Sequence, residues 1–192
     1  MKQEVSNILY TNDIHYLKIS QEIKDIAQSI QLLILDVDGV MTNGALYYNE
    51  NGSVTKAFSA QDGLGIRILL QAGIGVSVIT GADSKATASR LRTLGVTEHY
   101  RGQKNKSIAF EEILENTGVS PNHIAYMGDD WIDIQVMQTV ALPIAVANAQ
   151  PEVKDIAMVI TELCGGMGAI RDVARFILTM QDKLQSSLQS YL

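Results

Sequence analysis

The sequence contains one cysteine, three prolines and one tryptophan among its 192 residues. A lone cysteine, Cys164, cannot form an intrachain disulfide, which is typical of a protein from a reducing compartment such as the cytoplasm. No apolar run approaches the roughly 18 residues that a transmembrane helix needs, and residues 1–20 lack the apolar core of a signal peptide. We therefore expect a cytoplasmic protein with no membrane partner.

Positive charge is also scarce. The chain has 15 Lys and Arg against 21 Asp and Glu, which gives a formal net charge of −6. This balance argues against a nucleic-acid partner, because such proteins concentrate basic residues on a binding face. Hydrophobic residues make up 46% of the chain, enough to build a core without disulfides.

The chain instead has a regular alternation of short apolar runs and amphipathic segments. Apolar runs of this length predict strands that are buried on both faces, and the segments between them have helical spacing. The alternation predicts an α/β fold, a doubly wound and mainly parallel sheet with helices on both faces. The predicted strands of this sheet are 32–35, 76–79, 124–127, 144–147 and 158–160.

No linker or internal repeat divides the chain, so we predict a single domain over residues 31–184. A helical extension over 1–30 precedes it, and a frayed polar tail over 185–192 follows it. The last helix is predicted over 169–184. A β-hairpin is predicted over 45–58, because Asn51-Gly52 favours a tight turn between two apolar segments.

Reactive side chains follow the predicted strands. Asp36 and Asp38 follow the first strand, Thr80 follows the second, Lys106 opens a helix, and Asp129 follows a third strand. A single strand-end Asp is often only a turn or cap residue. Four chemically complementary positions at successive strand ends indicate an active site, because ligands of such folds bind at the carboxyl ends of the strands.

These residue types together suit phosphoryl transfer. The Asp36 carboxylate can attack phosphorus, and Asp38 can protonate the leaving oxygen and later deprotonate water. Asp36 and Asp129 offer the oxygen ligands that Mg²⁺ prefers. Lys106 and the Thr80 hydroxyl can neutralise and hold phosphate oxygens.

The same residues resemble the motifs of the haloacid dehalogenase-like phosphatases. Residues 36–42 read D-x-D-G-x-x-T, and Thr80, Lys106 and the acidic segment 128–133 match the later motifs in order. Longer stretches resemble one subgroup, the 3-deoxy-D-manno-octulosonate 8-phosphate phosphatases. These stretches include LLILDVDGVMTNG, KAFSAQDGLGIRIL, AYMGDDWIDIQVM and GGMGAIRD.

The resemblance covers roughly residues 32–184. It implies a Rossmann-like domain without a large cap, Mg²⁺ as cofactor, and a phosphorylated sugar acid as substrate. The product would be the free eight-carbon sugar acid used in lipopolysaccharide synthesis. The resemblance also implies a homotetramer with the hairpins packed at its centre.

Individual roles follow from the same resemblance. Asp36 and Asp129 are expected to bind Mg²⁺ through their side chains, and Asp38 through its backbone carbonyl. Catalytic roles are expected for Asp36, Asp38, Thr80 and Lys106. Substrate contacts are expected from Asp38, Ser59, Ala60, Gln61, Asp62, Gly63, Arg67, Gly81, Ala82, Arg90 and Lys106.

The chain departs from the pattern of this subgroup at several positions. Gln61 and Ala82 stand where the family commonly has Arg, and Asn43 and Asn148 stand where it commonly has Asp. Two cations that could bind a carboxylate are therefore missing. This leaves open a phosphatase for a nine-carbon sugar acid 9-phosphate. A phospho-receiver module and a catalytically silent scaffold are alternatives of a different class.

Overall fold

The computed structural model describes residues 8–9 and 19–192. Strand β2 lies in the middle of a parallel sheet, as its four consecutive buried apolar residues predict. Seven strands form this sheet in the order β1-β9-β8-β7-β2-β5-β6, and each neighbouring pair is parallel. Its strands are β1 (Ile8–Leu9), β2 (Leu32–Leu35), β5 (Gly75–Ile79), β6 (His99–Tyr100), β7 (Ile124–Gly128), β8 (Leu142–Ala145) and β9 (Val159–Thr161).

Helices flank the sheet in two packed groups: α1 and α2 both contact α7, while α4 and α6 both contact α5. The predicted α/β fold is therefore confirmed. None of the helices in the part of the chain described is long and apolar enough to cross a membrane. The helices are α1 (Gln21–Ser29), α2 (Ala60–Gln71), α3 (Lys85–Leu94), α4 (Lys106–Thr117), α5 (Ile134–Met137), α6 (Pro151–Ile156), α7 (Ala169–Met180) and α8 (Leu184–Gln189).

The register of the central strands explains where the site forms. Leu35 of β2 lies opposite Val78 of β5 and Met127 of β7. All three strands run in the same direction, so the chain leaves them at nearly the same level of the sheet. The segments that begin at Asp36, Thr80 and Asp129 therefore share one edge.

Strand β8 begins two residues earlier than predicted: it spans Leu142–Ala145 and not 144–147. The prediction failed because Pro143, which lacks an N–H, argues against a central strand. The Pro143 carbonyl still accepts a hydrogen bond from the Met158 N–H in the structure.

The C-terminal prediction is also corrected. The last predicted helix is divided, because α7 ends at Met180 and Asp182 adopts a left-handed conformation (φ 55°). Where a frayed tail was predicted, the structure has the helix α8. The Tyr191 hydroxyl beyond it donates to the Gln71 side chain at 3.1 Å, which ties this end to α2.

The N-terminal extension is described only in part, since residues 1–7 and 10–18 lie outside the described residues. Within it, Ile23 and Ala27 of α1 are buried in the same apolar core as the sheet. The boundaries of the predicted domain therefore stay a prediction, although α1 packs as part of the main body.

The predicted hairpin is present as the antiparallel pair β3 (Tyr47–Tyr48) and β4 (Val54–Thr55). Its outer residues are unusually apolar for a surface: Leu46, Tyr47 and Tyr48 are 47%, 52% and 72% exposed. A two-stranded hairpin buries little by itself, so this surface is available to a partner.

Candidate active site

A buried lysine lies at the centre of the site. Lys106 is the first residue of α4, and its ammonium lies 2.5 Å from Asp36 Oδ1 and 2.7 Å from Asp133 Oδ1. The Tyr126 hydroxyl donates to the same Asp133 oxygen at 2.6 Å. All four side chains are buried, so a single cation is paired with two carboxylates away from water.

Asp133 also shapes the backbone. Its second oxygen, Oδ2, accepts the N–H groups of Asp129 at 3.0 Å and Asp130 at 3.2 Å. Both Asp133 oxygens are therefore occupied by protein donors. This holds the Asp129 segment against the end of β2, beside Asp36.

The carboxylates share a charge environment that disfavours ionisation. Burial raises the pKa of Asp36 to about 6, although Lys106 opposes the rise. Burial, followed by repulsion from Asp36 and Asp133, raises the pKa of Asp129 to about 8. For Lys106, burial lowers the pKa, but the attraction of Asp36 and Asp133 outweighs this and leaves it raised. A site with this excess of negative charge favours a bound cation.

A divalent metal fits these residues. Asp36, Asp129 and Asp133 each offer an oxygen atom within 4.8 Å of the other two. Both Asp133 oxygens already accept from protein donors, whereas Lys106 contacts only Oδ1 of Asp36. Asp36 and Asp129 are therefore the side chains with oxygens left to act as ligands. Carboxylate oxygens are the ligands that Mg²⁺ prefers.

The loop after β2 approaches its neighbours so closely that only glycine fits. A Cβ on Gly39 would collide with the Asp129 carboxylate, and a Cβ on Gly165 would collide with the Gly39 carbonyl. Gly39 also has a φ of 100°, a backbone conformation that is strained for any residue with a side chain. The Gly165 N–H donates to Asn148 Oδ1 at 2.7 Å. The Asn148 Nδ2 group in turn donates to the Gly39 carbonyl at 3.4 Å. Asn148 therefore joins the two loops.

Asp38 lies outside the Lys106 cluster and faces a different lysine. Lys56, the residue after β4, donates to Asp38 Oδ2 at 2.7 Å, and its nitrogen lies 2.6 Å from Oδ1. The Asp38 side chain remains 31% exposed, whereas the Asp36 side chain is buried.

The structure separates the predicted substrate residues into groups. Ser59, Ala60 and Gln61 form the start of α2, and Gly81 and Ala82 follow β5 beside the buried Thr80. Gly81 and Ala82 therefore lie at the shared edge of the sheet, whereas Gln61 lines a cavity together with Arg171 and Arg175. The predicted substrate contacts of these residues stay predictions.

Asp62 and Arg90 have structural partners. Both Asp62 oxygens accept backbone N–H groups at the start of α7, from Gly168 at 3.1 Å and Arg171 at 3.0 Å. Arg90 packs over Gly63 and donates to the Ser59 carbonyl at 3.0 Å. These contacts stabilise the start of α2 and do not by themselves support substrate binding by Asp62.

Arg67 is not brought to the site within one chain. It is exposed on α2 and lines a separate cavity together with Lys183 and Tyr191 of the C-terminal segment. Its predicted contact with substrate stays a prediction.

Comparison with known proteins agrees with this geometry. Residues 66–164 match the haloacid dehalogenase-like hydrolase family. The chain is 44% identical over 172 residues to the 3-deoxy-D-manno-octulosonate 8-phosphate phosphatase KdsC of Escherichia coli, covering 90% of this chain and 92% of that protein. The chain belongs to the haloacid dehalogenase-like hydrolase family.

Solved structures of other members of the haloacid dehalogenase-like family have the same fold. The 3-deoxy-D-manno-octulosonate 8-phosphate phosphatase of Yersinia pestis superposes with a TM-score of 0.85 at 43% identity, covering 87% of this chain and 90% of that one. The enzyme from Moraxella catarrhalis was solved in complex with a magnesium ion, a phosphate ion and a KDO molecule. It superposes with a TM-score of 0.86 at 34% identity, covering 89% of this chain and 98% of that one.

Sequence reasoning missed three contributors to this haloacid dehalogenase-like site. Tyr126 was treated only as an apolar strand residue, although a hydroxyl in a fully buried strand needs a partner. Asn148 was noted only as a departure from the family. Lys56 carried one usable signal, because it is the first residue of the stretch KAFSAQDGLGIRIL that carries the resemblance.

Proposed function

We propose that this chain is a Mg²⁺-dependent phosphatase that converts 3-deoxy-D-manno-octulosonate 8-phosphate to the free sugar acid and phosphate. The observation that carries the proposal is the pair Asp36 and Asp129 beside the buried Lys106, at one edge of the sheet. The substrate follows from the names of relatives that are 44% identical across nearly the whole chain.

The geometry supports a two-step reaction through Asp36. The Asp36 carboxylate attacks phosphorus and forms an acyl phosphate, while the bond to the sugar oxygen breaks and Asp38 donates a proton to that oxygen. In the second step Asp38 takes a proton from water, and the resulting nucleophile attacks phosphorus to release phosphate and Asp36. Bound Mg²⁺, held by Asp36 and Asp129, supplies positive charge that offsets the phosphate and the carboxylates.

Lys106 has two roles in this proposal. It orients Asp36 through the 2.5 Å contact, and it places a buried positive charge where negative charge gathers on the transferring group. Thr80 lies at the end of β5, where its hydroxyl can donate to a phosphate oxygen.

A phosphatase assay over defined substrates tests the proposal. The panel contains the eight-carbon sugar acid 8-phosphate, a nine-carbon sugar acid 9-phosphate and a hexose 6-phosphate without a carboxylate, each with and without Mg²⁺. We expect the highest kcat/KM for the eight-carbon substrate and no turnover in EDTA, with recovery when Mg²⁺ is restored. Equal kcat/KM for the hexose phosphate would contradict the sugar-acid assignment, and full activity in EDTA would contradict the metal.

The nine-carbon substrate remains a second candidate because of Gln61 and Ala82. Both residues are predicted substrate contacts that carry no charge, so two guanidinium groups that could bind a carboxylate are absent. A higher kcat/KM for the nine-carbon substrate in the same panel would favour this candidate over the first.

We also propose that the chain acts in the cytoplasm as a homotetramer assembled through its hairpins. Its single cysteine supports the compartment, and the exposed apolar hairpin surface supports the assembly. Replacing Tyr47 and Tyr48 together by Ser should produce smaller species with lower activity, measured by light scattering during gel filtration. Leu192→Ser, at a residue that is 97% exposed, is the matched control and should keep the wild-type mass. A wild-type chain that is monomeric and fully active would refute the tetramer.

A further inference from the structure

A second lysine enters the site from the hairpin. Lys56 follows β4, and its side chain is only 3% exposed, while its neighbours Thr55 and Ala57 are exposed. Burying an ammonium group is costly unless it is paired and hydrogen-bonded. Its partner is Asp38, 18 positions earlier in the sequence, with both carboxylate oxygens within 2.7 Å of the lysine nitrogen.

The two lysines of the site have separate partners. Lys106 contacts Asp36 and Asp133, whereas Lys56 contacts Asp38. Among the described residues, Lys56 is the only side chain that contacts the Asp38 carboxylate through a hydrogen bond or ion pair. Without it, a side chain that is 31% exposed would be free to change rotamer.

We infer that Lys56 is a positioning residue, which holds the Asp38 carboxylate facing the leaving oxygen of the substrate. This inference rests on the proposed phosphatase function. General acid–base catalysis requires the carboxyl group to lie within hydrogen-bond reach of the proton it transfers. Because the Lys56 ammonium contacts both oxygens of Asp38, it can stay paired with one oxygen while the other contacts the substrate.

The hairpin thereby becomes part of the catalytic apparatus. Lys56 is placed by the end of β4, so a displacement of the hairpin displaces the group that orients Asp38. When the hairpin is held in place, Lys56 keeps Asp38 in position. When the hairpin is displaced, Asp38 loses its position, while the nucleophile Asp36 and its partner Lys106 are unaffected.

A double-mutant cycle separates this role from direct substrate binding. The variants are Lys56→Met, Asp38→Asn and the two combined, assayed with Mg²⁺ and the sugar acid phosphate. If Lys56 acts through Asp38, Lys56→Met should lower kcat by about 10- to 100-fold with KM nearly unchanged, and should have no further effect in the Asp38→Asn background. Lys154→Met, at a lysine on α6, is the matched control and should match wild type.

The leaving group gives an independent measurement. p-Nitrophenolate departs without a proton, so formation of the phospho-enzyme from p-nitrophenyl phosphate needs no general acid. In rapid mixing, we expect Lys56→Met to keep the wild-type burst rate with this substrate while the sugar phosphate reacts slowly. Additive losses in the cycle, or a raised KM with unchanged kcat, would overturn the inference and indicate that Lys56 binds substrate directly.

Two further arrangements keep the test decisive. Should Lys56→Met fail to fold, as judged by circular dichroism, the cycle is run with Lys56→Gln, which retains a donor. If the wild type does not hydrolyse the sugar acid phosphate, that result contradicts the proposed substrate but not the role of Lys56. Steady-state hydrolysis of p-nitrophenyl phosphate, in which Asp38 activates water, then still tests Lys56. A loss in Lys56→Met that disappears in the Asp38→Asn background supports the inference, and additive losses, or no loss in Lys56→Met, overturn it.

Discussion

The Asp36→Asn variant is expected to lose turnover by at least about 10⁴-fold while keeping its fold. The amide nitrogen and oxygen cannot form the acyl phosphate that the two-step reaction requires. The substitution preserves side-chain shape, and the amide oxygen can still accept the hydrogen bond from Lys106. Phosphate release with the sugar acid phosphate and with p-nitrophenyl phosphate measures the loss.

The control for this variant is Asp155→Asn, which makes the same chemical change at an exposed residue of α6 and should match wild type. Amides can hydrolyse back to carboxylates, so the mass of each sample is checked after the assay. Wild-type turnover by a sample whose mass still corresponds to Asn at position 36 would remove Asp36 as the nucleophile.

The sequence predicted most of the nucleophile region because its signals are local. The four apolar residues of β2 predict a buried central strand, and parallel neighbours place the residues after each strand at one edge. Asp36, Thr80 and Asp129 could therefore be placed together without coordinates. Lys106 could be added because it begins the helix that follows the next strand, β6.

The contacts that the sequence did not predict join distant segments through side chains. Asp62 was predicted to contact substrate, yet it caps α7 from α2 across more than 100 residues. The ion pair of Lys56 with Asp38 depends on how the hairpin turns back over the site, which strand periodicity does not define. Arg67 has the helical spacing of a surface residue, and only the packing of the C-terminal segment shows that it lines a different cavity.

Replacing Lys106 by Met should destabilise the protein as well as inactivate it. The side chain is 1% exposed and is the cation paired with both Asp36 and Asp133, which would otherwise lie in the same buried cluster without a positive charge beside them. Removing one partner of a buried ion pair typically costs about 3 to 5 kcal/mol, and we expect a loss of this order in metal-free buffer near neutral pH. Urea unfolding measures the free energy, and phosphate release should fall at least about 100-fold.

The pH dependence distinguishes this electrostatic cause from a packing defect. Burial already raises the pKa of Asp36 to about 6 with Lys106 present, and because Lys106 opposes the rise, its removal moves that pKa higher. A carboxyl group whose pKa is raised on folding destabilises the folded state above its unfolded pKa, and this penalty falls as the pH falls through the folded value. The stability deficit of Lys106→Met relative to wild type should therefore shrink between about pH 8 and pH 5.

A second substitution provides the control. Asp133→Asn added to Lys106→Met removes one of the two unpaired carboxylates while keeping an oxygen that can accept from Tyr126 or the Asp129 amide. The double variant should recover part of the lost stability at neutral pH yet remain inactive, since the cation beside Asp36 is still missing. A deficit that is independent of pH and unchanged by Asp133→Asn would show that Lys106 contributes through packing of its methylene groups, and its charge would then not be what holds this cluster together.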